Sequence, residues 1–471
     1  MSDNSIFCSN IGKANVQRVF VEIEDVKGTL QKPTGAGFVL PAGQATLTQT
    51  PTFTPSDELN ASLNVTEQFQ DAVSPADLSI PMLLRLSKTE SPQGNALFHA
   101  LMGVEQAPSV ATAALVGSLT TSETSIDVDT VAGGEFPPVG VVTIGSEKIL
   151  YMGMTESADT PGQWTLENCT RGYDGTTAAS GEAEAVVTLS SRVWMQDVCR
   201  PSVSVWIQSD HTVFFAEGVT VTAATAPLSN TGGQHIDFTL QGKRMGWCGT
   251  AEITSVASGV ITLEGRGAYA FSEGGYIQNA TRNDANNGQG YKITKVDREA
   301  GKITVTPTPN GWVAQNVLKP WLPDGVERGE PVESRDARIY IADAAGIPVA
   351  EERMSGNINI GTPTEFTTPI GSEYPGDNAD TTRDINIDAG MYFRSEDAEK
   401  IGLGYKGYEE AVTIILGETV GKKLAFHFPR VKFNTPEPST DGAFMTLSQT
   451  GTALGKAGLR NRESSLYIVQ I

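Results

Sequence analysis

Several things are scarce in this 471-residue chain, and each scarcity narrows its possible roles. Positive charge is one: 34 Lys and Arg stand against 55 Asp and Glu, a formal charge of −21. Such a surface repels nucleic-acid backbones, which speaks against a DNA-reading role but not against a conduit past which DNA slides. Cysteine is another: Cys8, Cys169, Cys199 and Cys248 are far apart and form no CxxC. That is the usage of reduced, buried thiols in a cytoplasmic product. No apolar run reaches 18 residues, so no membrane span is expected. The opening segment, Met1 to Phe7, lacks the charged and apolar regions of a signal peptide.

Catalytic signatures are scarce as well. His99, His211, His235 and His427 share no metal-binding spacing, and neither HExxH nor GxSxG occurs. Gly417 to Lys423 is one residue short of a phosphate loop and carries Lys423 where the loop needs a hydroxyl. It reads as a hairpin turn. Asp127, Asp129 and Asp237 read as solvated carboxylates, not as a calcium or glycosidase site. His427 alternates with Phe426 and Phe428 and reads as an outward-facing strand residue. No enzyme activity, cofactor or metal is expected.

What is present is strand and turn chemistry. Gly 49 and Pro 25 supply turns, and a charged fraction of 19% is too low for a disordered acidic chain. Leu424, Phe426 and Phe428 alternate with Lys423, Ala425 and His427, the period of a half-buried strand. A polar turn from Asn434 to Gly442 leads to another strand, and the chain closes in a strand at Ser465 to Ile471. Near the other end, Val19, Val21 and Ile23 share one face of a strand over Val16 to Glu24. Residues 27–60 are long, polar and rich in proline, and read as an extended arm or hairpin with a functional purpose. Asn95 to Gly103 reads as a helix, with Asn95 as N-cap, Gly103 at C′, and Leu97/Leu101 and Phe98/Met102 stacked at i, i+4. A second short helix follows Ser395 and ends near Gly402.

Two stretches differ from the rest. Residues 111–190 are dominated by Ser, Thr, Ala and Gly, with short strands at Ser125–Val128, Val139–Ile144, Glu147–Tyr151 and Trp164–Leu166. Residues 249–310 carry strands at Val260–Leu263, Tyr291–Val296 and Lys302–Thr306, around an Asn-rich loop at 279–288. Between them, Val203, Val205 and Ile207 alternate, and so do Ile236, Phe238 and Leu240 after a Gly-Gly turn. The expected division is a β-framework (1–110, 191–248 and 311–471) interrupted by two small β modules at 111–190 and 249–310.

The framework resembles the tail tube proteins of long-tailed bacteriophages. The resemblance rests on Gly28 to Pro33, Pro51 to Leu59, the Leu-rich helix 96–102, Phe428 to Phe433 and Asp441 to Ser448, taken in that order. Leu166 to Ala179 is similar to a cassette that recurs in phage tail and virion proteins. The resemblance implies an all-β fold: a tail-tube-type β-sandwich or barrel framework with a short flanking α-helix, plus the two inserted β domains. It implies a structural virion subunit that forms hexameric rings stacked into a tube, whose acidic lumen passes double-stranded DNA without specific binding. Tail terminator, tape measure and baseplate proteins are the further partners implied. The location implied is the virion tail, after assembly in the host cytoplasm. Contacts between subunits and rings are then expected at Lys32, Pro33, Phe38, Phe53, Asp57, Glu58, Arg430 and Lys432. Many of Arg335, Arg338, Arg353, Lys422, Lys423, Arg430 and Lys432 are expected to pair with carboxylates on neighbouring subunits. The alternative is a β-modular virion or cell-surface adhesin, with Trp164, Trp194, Trp206, Trp247, Trp312 and Trp321 available to stack on host glycans.

Overall fold

The computed structural model describes residues 16–57, 67–282, 286–343, 346–394, 398–455 and 464–471. The fold is all-β, with two short helices. In chain order the framework begins with β1 (Gln17–Ile23), β2 (Phe53–Pro55), β3 (Gln68–Gln70), β4 (Ala76–Leu83), α1 (Asn95–Met102) and β5 (Gly103–Gln106). After the first module come β6 (Arg192–Gln196), β7 (Val203–Ser209), β8 (Thr212–Leu228), β9 (His235–Gly242) and β10 (Arg244–Cys248). After the second come β11 (Arg338–Ala342), β12 (Pro348–Glu351), β13 (Ser355–Gly361), β14 (Asp384–Tyr392) and α2 (Ala398–Lys406). The chain closes with β15 (Glu409–Leu416), β16 (Leu424–Phe433), β17 (Glu437–Asp441), β18 (Phe444–Ala453) and β19 (Tyr467–Gln470).

Two long strands organise these elements because each serves two sheets. The first half of β8 pairs with β7 and β10, and its second half pairs with β9 and β13. Gly218 lies between the halves at φ +61°, and a Cβ there would meet Lys243 at 3.1 Å. Likewise the start of β16 pairs with β19, and its end pairs with β18. One antiparallel sheet therefore runs β12–β11–β15–β16–β18–β14–β13–β8–β9–β4. A second layer consists of β5–β6–β19 on one side and β1–β7–β8–β10 on the other. These two arms do not pair with each other among the described residues. Helix α1 lies between them, packed on β1, β5, β6, β7 and β8. Its Leu97, Phe98, Leu101 and Met102 are all buried, and the Phe98 ring lies 5.4 Å from Trp194 and 5.6 Å from Phe238.

The helix N-cap is Gly94 at φ +73°, not Asn95; the Asn95 amide donates to Glu105 at 2.8 Å instead. Buried Glu24 holds β8 where its register with β7 shifts, at Gly218. Its carboxylate accepts from Gly28 N, Ser202 Oγ, Ser204 Oγ and Gly218 N, at 2.6 to 2.9 Å.

The first module contains a five-stranded sheet from Thr112 to Leu189 and a three-stranded one around Trp164–Leu166. The cassette segment folds over buried Glu147, which receives Arg171 Nε at 2.8 Å, Arg171 Nη2 at 2.7 Å, and the amides of Gly172 and Ala179. Burial works against the ionised Glu147, but these donors outweigh it and hold its carboxyl below the ordinary range. The module's apolar cluster is continuous with Val193, Met195, Ile415, Ala425, Tyr467 and Val469 of the framework. This corrects two expectations. The module covers the sheet, and the first half of β16, from Leu424 to Phe428, is buried on both faces. His427 is only 5% exposed, with Nδ1 2.8 Å from Thr413 Oγ1.

The second module is a closed six-stranded barrel: Ala251–Ala257, Val260–Leu263, Lys302–Thr306, Tyr291–Asp297, Tyr276–Asn279 and Val317–Pro320. Its last strand lies beyond the expected boundary at 310. Buried Asn279, Asn287 and Asn316 tie its loops together through bonds of 2.8 to 3.3 Å. The barrel core meets the framework at Phe20, Phe38, Trp206, Val213 and Phe215.

Candidate assembly surfaces

The strand register gives the framework two unlike ends. At one end Ala76 of β4 faces Gly242, and Gly361 of β13 faces Asp384. At the other, Ser355 faces Gly390 and Tyr392 faces Thr446. The nine residues of β14 separate the two ends by about 30 Å.

Two hairpins project at the first end. The β2–β3 hairpin leads into β4, and its base is held by Gln49, which donates to Ser74 O at 2.7 Å and accepts from Met245 N at 2.8 Å. Thr52 and Thr54 both bond Asp71. Phe53 pairs with Gln70, and Thr54 with Phe69, so the two phenylalanines point to opposite faces. Both are more than half exposed, at 55% and 57%. The second hairpin, Thr364–Phe366 with Asn378–Asp380, carries fully exposed Ile370 in its loop. The two hairpins touch where Val73 N donates to Glu373 O at 2.9 Å. Arg200 clasps the second one: it binds both oxygens of Asp380 at 2.5 and 2.6 Å, Val221 O at 2.6 Å and Thr362 Oγ1 at 2.9 Å. Burial opposes ionisation of Asp380, but Arg200 prevails and lowers its pKa.

A concave surface occupies the opposite end. β12, β14, α2 and β16 enclose a cleft of about 730 Å³ lined by Val349, Met391, Tyr392, Leu403 and Phe433 among others. Helix α2 roofs it and has no buried side chain of its own. Beside the cleft, the exposed rings of Tyr392 and Phe444 meet at 5.4 Å. The side chain of Arg353 is only 4% exposed and binds Glu351 at 2.5 Å. Its Nε is buried and has no acceptor. Glu410, also in the lining, has its pKa raised by burial first and then by Glu351. Family models and curated proteins offer no match to this chain. The two ends therefore stand on their own geometry.

The residues expected to touch other subunits fall in three places. Lys32, Pro33 and Phe38 lie at the barrel seam of their own chain: the Lys32 ammonium is 4.9 Å from the Trp321 ring, Pro33 is buried, and Phe38 packs on Phe20 at 5.4 Å. The expected arm is corrected accordingly. Residues 27–49 belong to the folded body, and the projecting part runs through 50–57 and 67–72. Phe53 and Asp57 are exposed on that projection, and Glu58 lies outside the described residues. Arg430 and Lys432 lie at the end of β16, where Arg430 binds Glu409 at 2.8 Å. Four of the seven basic residues assigned to neighbouring subunits pair inside this chain: Arg335 with Glu333, Arg353 with Glu351, Lys422 with Glu330, and Arg430 with Glu409.

Of the six tryptophans, Trp194, Trp206, Trp312 and Trp321 are buried; only Trp164 and Trp247 are partly exposed. That leaves little of the proposed sugar platform. Among the described residues no three His, Cys, Asp or Glu side chains gather to hold a metal, and no helix is long and apolar enough to cross a membrane. The sequence reading missed Phe69, Tyr392, Phe444 and the whole cleft. Phe69 had the same signal as Phe53, an aromatic residue stranded in a polar run.

Proposed function

We propose that this chain is a structural subunit of a bacteriophage tail tube, assembling as rings that stack and conduct the genome. The observation that carries the reading is the polarity of the framework: hairpins bearing exposed Phe53, Phe69 and Ile370 at one end, a concave aromatic-edged surface at the other. Unlike, complementary ends favour head-to-tail contacts, which propagate into stacks and do not stop at a dimer. Lateral contacts have candidates too. β12 pairs only with β11, and β17 only with β18, among the described residues. Open edges like these are hazards that pairing around a ring removes. On this reading a lumen with net negative charge lets DNA pass without sticking. Tail terminator, tape measure and baseplate proteins are the expected partners, and the virion tail the location.

Negative-stain microscopy of the purified protein tests this. Rings or tubes are the expected result, and replacing residues 51–72 by a short Gly/Ser linker should leave folded protein that no longer stacks. Dispersed monomers from the intact chain at every concentration would overturn the reading.

A further inference from the structure

The cleft under α2 carries chemistry that assembly does not use. Its volume of about 730 Å³ falls within the roughly 300–1,000 Å³ of sites that hold small organic molecules. Like them it combines apolar walls with a few polar groups. Met391 and Phe433 line its strand side and Leu403 its roof. Its charges do not balance: Asp343, Glu351, Glu352, Glu399 and Glu410 stand against Arg353, Arg394 and Lys400.

The three cations are already committed. Arg353 and Lys400 bind Glu351 at 2.5 and 3.1 Å, and Arg394 binds Glu352 at 2.5 Å. Glu410 differs. Among the described residues it makes no ion pair and accepts no hydrogen bond. It is also within reach, because its side chain is only partly buried and neither oxygen is a sealed atom without a partner. Burial works against its negative charge, and so do Glu351 and Glu399 beside it. A cation seated there relieves that repulsion and gains a charge-assisted hydrogen bond.

The surroundings say what kind of cation. Among the described residues no three His, Cys, Asp or Glu side chains converge to hold a metal ion, so the cation is organic. A lysine side chain reaching in from a partner would leave most of the cleft unfilled. Neither hairpin at the opposite end supplies one, since residues 50–73 and 364–380 contain no Lys or Arg. An ammonium group on an apolar body fits both the carboxylate and the walls.

We propose that the α2 cleft binds a small organic ammonium ion, with its cationic head at Glu410 and its apolar body against Met391, Leu403 and Phe433. The site goes beyond the tube reading and does not require it.

Isothermal titration of the purified full chain tests this with probes of one shape: phenethylammonium, neutral phenethyl alcohol and anionic hydrocinnamate. The ammonium should bind, the alcohol at least about tenfold more weakly, and the anion not at all. Glu410→Gln should weaken the ammonium by about tenfold or more and leave the alcohol unchanged. Leu403→Trp fills the cleft from a helix that has no buried side chain, and should abolish binding of both. Glu409→Gln should bind as the wild type does, because Glu409 pairs with Arg430 outside the lining; this control removes the general pull of an acidic chain. Circular dichroism confirms that each variant is folded. No binding of phenethylammonium, equal binding of the three probes, or binding that survives Glu410→Gln and Leu403→Trp overturns the proposal. None of these outcomes touches the tube reading, which microscopy decides.

Discussion

The two inserted modules look alike in the sequence and behave differently in the structure. The barrel closes on itself, so its six strands leave no open edge, although its apolar cluster takes in Phe20, Phe38, Trp206, Val213 and Phe215 of the framework. The first module consists of two open sheets, and its apolar cluster runs without a break into β6, β15, β16 and β19. An insertion can thus be attached in two ways. One is a finished unit resting on an aromatic seam. The other is an unfinished layer that completes its host. Closure of the sheet, more than composition or length, distinguishes the cases.

The strongest way to break this comparison is excision. Replacing residues 112–189 by a Gly/Ser linker should expose Val193, Met195, Ala425, Tyr467 and Val469, and soluble folded protein should be lost. Residues 249–322 made alone should fold, whereas 110–191 alone should not; circular dichroism and thermal melts of the two fragments give the answer. A folded first module would erase the distinction.

A smaller effect comes from His427, buried where β15, β16 and β19 meet under the first module. Burial lowers its pKa to about 4 from the ordinary 6.5. The fold keeps the imidazole neutral while the unfolded chain gains a proton below pH 6.5. Stability should therefore be unaffected by this group above pH 6.5 and fall between pH 6.5 and 4, by about 3 kcal/mol in all. Urea titrations across that range should show the loss, and His427→Gln should flatten it. The same fall in the variant would mean that other groups drive it.

The smallest expected effect is at the barrel seam. Lys32→Met keeps the apolar stem over Trp321 and Tyr276 but removes the ammonium, and should cost about 0.5–1 kcal/mol at this exposed site. A loss of several kcal/mol in chemical denaturation would show that the seam is as integral as the first module's, and the contrast would fail.

Much of the strand pattern could be read directly. Val139–Ile144, Val260–Leu263 and Lys302–Thr306 form strands over the spans expected, and Ile236, Phe238 and Leu240 do alternate into the core. What was not legible depends on distant partners. β16 has the alternation of a half-buried strand because Ala425 and His427 are small or polar, yet a layer inserted more than two hundred residues earlier covers them. The segment around Glu437–Asp441 looks like a turn and is an edge strand, where Pro438 is tolerated. Leu30 packs from an irregular segment, and Phe38 and Val39 form a two-residue strand on β1 that is too short to show a period. Phe53 announced itself as an apolar residue in a polar run. The cleft could not, because Val349 with Arg353, Met391, Leu403 and Phe433 come from four separate segments and show no shared spacing.

The sharing of β8 between two sheets has a mechanical meaning. A residue pulled at one end of that strand loads hydrogen bonds in both layers in series, through the register shift at Gly218 and the carboxylate of Glu24. Neither layer can yield alone without disturbing the other's registration. A load placed anywhere along β8 is therefore divided between the two layers.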